Sequence, residues 1–598
     1  MDVQTLTYLA RYPLIILCGL FIWPVFRISF SELRYVMRKR ATPVQNFFLL
    51  AETDHGPKTG SHNDLRGLAL YTTTFLGRSK TCDIRLTRKD FSRREAVIYL
   101  YDGLWFVRPA HHLSQLKLNG QDVNHPTHLQ NKDIISLSDL SFTFIDERVL
   151  TDQDQPVAAT EPSDKLSDSA VRRLSSARFA VMLFSLSACV LTYLLIPPEL
   201  KSFRQITAIF LIGCLVLFQV VSLVMKASLK RYDELLTLSS QFLAFTGLML
   251  QIRLAMDTLP RELPETEIAS ITALLLSDLL PQAASLTAGL LLLPVIAVFT
   301  ARSRLLEPLS LICVVLTPLL LILTLIFGWG AETHGATLWI NIDGLSVQLT
   351  ELAKISFLIV LASIFKHRPP LRTQLFFAVW AACNMFLIML LPDLGLVMVL
   401  LPTTLIVYVV MTSSYLNAIL MLLGSSVLSG LAYSFFPHVQ RRLAGWTTLW
   451  TEINDNNRQI VYGLQAIARG GLLGRGLGNG SPGGIPLASS DMIFSIVGEE
   501  LGFLFGVGIV IIFMVFWMRS ARTAVIAQDG FSSSLALSAG TLIFFQAFVV
   551  ITGVTGLLPL TGKTVPLLAK GGSSVVSVFL LIGLLIGLAG RNLGTKRK

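Results

Sequence analysis

The chain has 598 residues, of which 53% are hydrophobic and only 15% charged, with a mean hydropathy of +0.63. Soluble domains carry about 25% charged residues, so an ordinary soluble globule is excluded, as are collagen and a disordered chain. The net charge of +11 would suggest nucleic acid in a soluble protein; here the basic residues mostly flank apolar runs, as topology signals and headgroup contacts do, and no nucleic-acid partner is expected.

Residues 8–26 are apolar and long enough to cross a bilayer, no small-residue cleavage site follows, and Arg34, Arg38, Lys39 and Arg40 come next. Residues 1–45 therefore read as a retained anchor whose basic flank places the following segment in the cytoplasm. From 46 to 150 the pattern changes to short alternating runs such as VIYLYDGLWFV, broken by Asp-Gly and Asn-Gly turns, which predicts a small all-β domain. Residues 151–176, rich in Ser, Asp, Thr and Pro, read as a flexible linker.

Two further apolar helices are expected within 177–233 and a larger helical core over 234–598. With the first anchor, the apolar runs give about thirteen spans of about 20 residues each, including 284–300, 351–365 and 491–517. The fold class is a polytopic α-helical membrane protein with a small β domain. Alternation from a cytoplasmic β domain puts Lys226, Lys230, Arg231, Arg302, Arg304, Lys366, Arg368, Arg372 and the C-terminal tail inside. The loop 330–350, without Lys or Arg, then falls outside, as do Asp393 and the long loop 435–490. The six cysteines, Cys18, Cys82, Cys189, Cys214, Cys313 and Cys383, form no CxxC pair, so neither a zinc site nor a disulfide framework is expected.

Polar residues in or beside spans are costly and mark candidate sites. Glu351 and Lys354 stand three residues apart on one helix face, where they neutralise each other on burial; a structural pair between helices is the competing reading. Asp393, in Pro392-Asp393-Leu394-Gly395, sits at a sharp break between two spans. A carboxylate partly shielded from water at such a rim suits a general base, and a helix cap is the equally simple alternative. The glycine-rich stretch Tyr462–Gly478 and the blocks Ile485–Phe494 and Gly498–Gly502 require bends at membrane depth that only covering protein or a cavity tolerates.

These blocks, with Leu560-Thr561-Gly562 and Gly571-Gly572-Ser573-Ser574, resemble the FtsW/RodA/SpoVE (SEDS) family over roughly 234–589, about ten spans. The resemblance implies a peptidoglycan glycosyltransferase that polymerises lipid II on the outer face of the bacterial cytoplasmic membrane with a class B penicillin-binding protein. By the same resemblance Asp393 is the general base, while Glu351, Lys354, Arg441 and Arg442 contact substrate. The leaving diphosphate needs positive charge from Lys354, Arg441, Arg442 or a divalent cation, Mg or Mn; no cofactor is otherwise implied. An apolar cleft open to lipid is expected for the prenyl tails. Leu391 replaces the family's Gln before Pro-Asp, and Ala569-Lys570 its Ser-Tyr before Gly-Gly-Ser-Ser. The alternatives are a flippase for a lipid-linked precursor and a noncatalytic scaffold.

Gly77-Arg78-Ser79, Ser92-Arg93-Arg94, Trp105 and Leu118-Asn119-Gly120 are similar in order to a forkhead-associated (FHA) domain, a β sandwich that captures phosphothreonine peptides. The likeness assigns the phosphate to Arg78 and Ser92 and implies a cytoplasmic regulatory role. Glu95 stands where that family has His, and His112–Leu116 replaces its recognition-loop Ser-x-Asn-Gly-Thr, so a module that only docks protein or holds the fold is the competing reading.

Overall fold

The computed structural model describes residues 3–41, 168–229, 232–257, 259, 267–329, 338–342, 345–527 and 529–594, with the strands and tight turns of 47–146. It divides into two compact units, Met1–Leu33 with Ser167–Lys598, and Arg34–Leu166.

The smaller unit holds two sheets. One has six strands in the order Leu68–Ala69, Phe47–Ala51, Leu140–Asp146, Ile134–Leu137, Leu116–Leu118, Gln121–Asp122; the other has five, Ile84–Arg85, Thr73–Gly77, Ala96–Tyr101, Leu104–Pro109, Thr127–His128. Alternation creates its core. Along Leu140–Asp146 the residues Leu140, Phe142 and Phe144 turn inward, where they meet Leu49, Ile98, Trp105 and Ile135.

The larger unit is helical: α1 (Val3–Ala41), α2 (Asp168–Leu195), α3 (Lys201–Ser228), α4 (Glu234–Asp257), α5 (Ile268–Arg302), α6 (Leu306–Phe327), α7 (Leu349–Ile364) and α8 (Leu371–Leu390). They are followed by α9 (Leu394–Thr412), α10 (Tyr415–Phe435), α11 (Pro437–Thr447), α12 (Arg458–Gly470) and the short α13 (Ile493–Ile496). A π-turn, Val497–Leu501, then leads to α14 (Phe503–Ile526), α15 (Gly530–Val554) and α16 (Gly572–Gly594).

Twelve described helices are long and apolar enough to cross a membrane. The remaining apolar run, 351–365, forms the 16-residue α7, about 24 Å long at 1.5 Å per residue, shorter than the roughly 30 Å hydrocarbon core. Three boundaries differ from the sequence reading. The run 284–300 is part of the 35-residue α5. The run 491–517 is broken at Gly502, whose φ of +88° interrupts the helix before α14. The last residues of the polar 151–176 stretch are helical, because α2 starts at Asp168. Burial ranks the helices: nearly all of α4 is enclosed, whereas α10 has no fully buried residue and presents most of its apolar surface outward.

Candidate active site

Asp393 caps α9, its Oδ1 accepting from the Leu396 N–H at 3.1 Å. The cap reading and the site reading are both realised, because Oδ2 accepts from Lys563 Nζ at 2.6 Å. Lys563 comes from the segment between α15 and α16. Both side chains are buried, and a close approach brings them together. A Cβ on Gly395 would stand 2.6 Å from Lys563 Cγ and 2.8 Å from the Thr561 carbonyl, so a side chain there would lift the Lys563 segment off the start of α9. Burial works against the Lys563 ammonium, yet Asp393 and Glu351 together hold it above the ordinary lysine value.

Glu351 and Lys354 lie in the first turns of α7, buried and 2.5 Å apart. Lys354 Nζ also donates to Gln546 Oε1 at 3.1 Å, and Ser577 donates its hydroxyl to Glu351 Oε2 at 2.5 Å. Gln546 in turn donates to the carbonyl of Thr564, next to Lys563, at 3.2 Å. The pair therefore ties α7 to α15 and α16 as well as joining the site. The two pairs also feel each other's charge, Lys563 acting on Glu351 and Asp393 on Lys354.

Arg442 of α11 donates from Nη1 to the Leu560 carbonyl at 2.8 Å, and its charge is felt by Asp393 and Asp491. Arg441 is exposed one position earlier, at the edge of the group.

Lys563 was not singled out in the sequence, and Asp491 appeared there only within the block Ile485–Phe494, with no role assigned. Asp491 follows a turn in which Leu487 adopts a φ of +54° and its carbonyl accepts from the N–H groups of Ser490 and Met492 at 3.1 and 3.2 Å. Lys570 N–H donates to Ser489 O at 2.8 Å and ties that turn to the Lys563 segment. Burial pushes the Asp491 carboxyl up to about 6, although Arg442 and Lys563 pull the other way. The signal available was an acid between Ser490 and Met492 in an otherwise apolar stretch; its burial depends on folded loops.

The result is a compact alternation of carboxylates (Glu351, Asp393, Asp491) and cations (Lys354, Lys563, Arg442). They are drawn from the N-terminal ends of α7 and α9, from α11, and from the segments before α13 and after α15. Among the described residues no group of three or more His, Cys, Asp or Glu is placed to hold a metal. Beside Asp491's segment an apolar groove of about 310 Å³ opens, lined by Ile467, Phe494, Phe513, Phe544, Phe548 and Ile551. It has the character of the cleft expected for an apolar chain.

In the β unit, Arg78 is exposed just after Thr73–Gly77. Ser92 lies outside the described residues. Glu95 is buried at a strand end, its N–H donating to Leu76 O at 2.7 Å and its carbonyl accepting from Ala110 N–H at 3.0 Å.

Residues 265–592 match the family model described as cell cycle protein, FtsW/RodA/SpoVE, and residues 74–138 match the FHA domain model. Over 271 residues the chain is 32% identical to peptidoglycan glycosyltransferase RodA of Mycobacterium leprae, covering 42% of this chain and 58% of that protein. Over 286 residues it is 33% identical to the probable peptidoglycan glycosyltransferase FtsW of a Geobacter species, covering 46% of this chain and 77% of that protein. The chain thus spans 58% of the length of the RodA relative. Among solved structures, the rod shape determining protein RodA of Thermus thermophilus is 22% identical with a TM-score of 0.43, covering 61% of this chain and 98% of that one.

Proposed function

Because the chain belongs to the FtsW/RodA/SpoVE family of cell cycle proteins, we propose that it is a peptidoglycan glycosyltransferase. It polymerises lipid II into glycan strands on the outer face of the cytoplasmic membrane and works with a class B penicillin-binding protein. The acceptor sugar's 4-hydroxyl attacks the anomeric carbon of the lipid-linked chain. The bond from that carbon to the diphosphate breaks, the diphosphate leaves with its prenyl tail, and a carboxylate takes the hydroxyl proton.

The observation that carries this reading is the placement of two carboxylates in one charged group with different partners. Asp393, the base expected from the sequence, is engaged at both oxygens, by the Leu396 N–H and by Lys563. Both oxygens are thus committed to partners, one fixing the start of α9 and the other holding the Lys563 ammonium. Burial pushes the Asp491 carboxyl up to about 6, which suits proton uptake near neutral pH. We therefore assign proton acceptance to Asp491 and give Asp393 the task of fixing Lys563. Lys563 and Arg442, with exposed Arg441, supply the positive charge that meets the leaving diphosphate. Glu351 and Lys354 hold α7 against α15 and α16 beneath that charge. The groove beside Phe494 offers the apolar surface the prenyl tail needs.

Placing the β unit and the C-terminus in the cytoplasm follows from the basic flanks. The 74–138 match supports phosphothreonine binding there, with Arg78 exposed to meet a phosphate. Buried charge in α7 was the feature that suited a flippase, and its use as a brace between three helices removes that support.

The test is polymerisation of lipid II by the purified full chain with its penicillin-binding protein. Asp491→Asn should lose at least about a hundredfold in rate, the usual scale of a general base. Asp393→Asn should keep measurable activity at reduced thermal stability. Full activity in Asp491→Asn would overturn the assignment.

A further inference from the structure

Helix α1 lies outside the residues matched by the family model, and it is pinned to the core at both ends. Near its start, Arg11 donates from Nη1 to the Gly474 carbonyl at 2.6 Å. Its Nη2 donates to the hydroxyls of Tyr8 and Tyr12 at 2.7 and 2.9 Å, and its guanidinium carbon stands 3.9 Å from the Tyr8 ring centre. At the other end Glu32 Oε2 accepts from Arg519 Nη1 at 2.8 Å and pairs with Arg522 Nε at 2.9 Å, both on α14. Between them α14 offers Gly508, where a Cβ would stand 2.6 Å from Ile22 Cδ1 and 2.9 Å from Cys18 Sγ. About 31 Å of helix separates Arg11 from Glu32 at 1.5 Å per residue, close to the roughly 30 Å depth of the hydrocarbon core. The two polar contacts therefore grip the core at opposite membrane faces.

The carbonyl that Arg11 takes belongs to a glycine-rich strip laid along the π-turn Val497–Leu501. Arg475 N–H donates to Glu499 O at 2.9 Å and Gly476 N–H to Glu500 O at 3.0 Å; Phe503 and Leu504 return bonds to the carbonyls of Gly471 and Leu472 at 3.0 and 3.1 Å. Gly474 has a φ of +77°, and a Cβ there would stand 2.3 Å from Glu500 O, so the strip closes only with glycine. Arg469 and Arg253 pair with the fully buried Glu499 and Glu500, each at 3.0 Å. The π-turn continues α13, which begins two residues after Asp491. What seats the strip therefore seats the segment that carries Asp491.

The geometry points to Arg11 as a positioning residue: an accessory helix reaches across the core and clamps the glycine strip against the turn that aims Asp491. This rests on the reading of Asp491 as proton acceptor. Arg11 touches neither substrate nor Asp491 and acts through Gly474.

The experiment uses full-length protein carrying Arg11→Ala, Arg11→Lys, or Tyr8→Phe with Tyr12→Phe, which removes only the cradle. Trypsin cleavage after Arg475, exposed in the strip, is followed against cleavage after Arg458, exposed outside it. In Arg11→Ala, cleavage after Arg475 should quicken roughly fivefold or more while Arg458 is unchanged. Lipid II polymerisation should fall about tenfold in kcat with KM within about twofold. Arg11→Lys should restore both, and the double Tyr variant should lie between. The inference is overturned by wild-type Arg475 cleavage in Arg11→Ala, or by unchanged kcat there while Asp491→Asn is inactive. If no variant, wild type included, polymerises lipid II, the functional reading has failed and the cleavage rates still decide the clamp.

Discussion

A carboxylate taken out of water costs several kcal/mol unless a cation and hydrogen bonds meet it. Asp393 meets that condition through Lys563 and the Leu396 N–H. Removing only the cation leaves the charge buried and unmatched, so Lys563→Ala should destabilise the protein by about 3–5 kcal/mol. The double variant Asp393→Leu with Lys563→Met should recover most of that loss, since an apolar pair of similar size replaces a buried ion pair at little cost. Unfolding curves in one detergent compare them; a double variant no more stable than the single would contradict this account of the pair. Asp393, Glu351 and Lys354 were legible in the sequence as charges where charge is expensive, and Arg442 through the family resemblance. Lys563 and Asp491 were not, because what distinguishes them is burial against segments far along the chain. Lys563 stands 170 residues from the carboxylate it meets.

At the scale of elements, the start of α9 is built by its first residues. Asp393 supplies the cap, and Gly395 leaves room for the segment that brings Lys563 down. Gly395→Val keeps a helix-compatible apolar residue but puts methyl groups where Lys563 Cγ and the Thr561 carbonyl stand. It should therefore separate Lys563 from Asp393 and lower lipid II polymerisation at least tenfold, while circular dichroism shows unchanged helix content. Wild-type turnover in that variant would show that the close approach is dispensable. Apolar runs made most of the helices readable, because every span must bury or face lipid with one continuous stretch. What periodicity could not show is where a helix pauses. The π-turn at Val497–Leu501 is apolar on both sides, and its break is set by Gly502 and the glycine strip packed on it. Likewise the polar start of α2 looked like linker because composition reports solvent exposure, which a helix end shares with a loop.

For the whole molecule, the proposed topology gathers chemistry at one end of the bundle. The ends of α7, α9, α10, α14, α15 and α16 that share the outer side in the proposed topology are also those whose side chains and following loops build the charged group. The 16-residue α7, shorter than the hydrocarbon core, brings Glu351 and Lys354 into the same charged group. The FHA-matching unit enters the chain between α1 and α2, so both connections to the core begin on the proposed cytoplasmic side.

The most direct measurement is the pH dependence of the proposed lipid II polymerisation by the intact chain with a class B penicillin-binding protein. Burial raises the Asp491 carboxyl to about 6, so its proton-accepting form fills as pH rises through that value. The rate should climb between pH 5 and 7, with a midpoint about 6, and then level off. In Asp393→Asn the midpoint should move down, because one negative neighbour has gone and Lys563 is freed to favour the ionised form. A wild-type rate flat across that interval, or the same acid limb at undiminished rate in Asp491→Asn, would contradict the account.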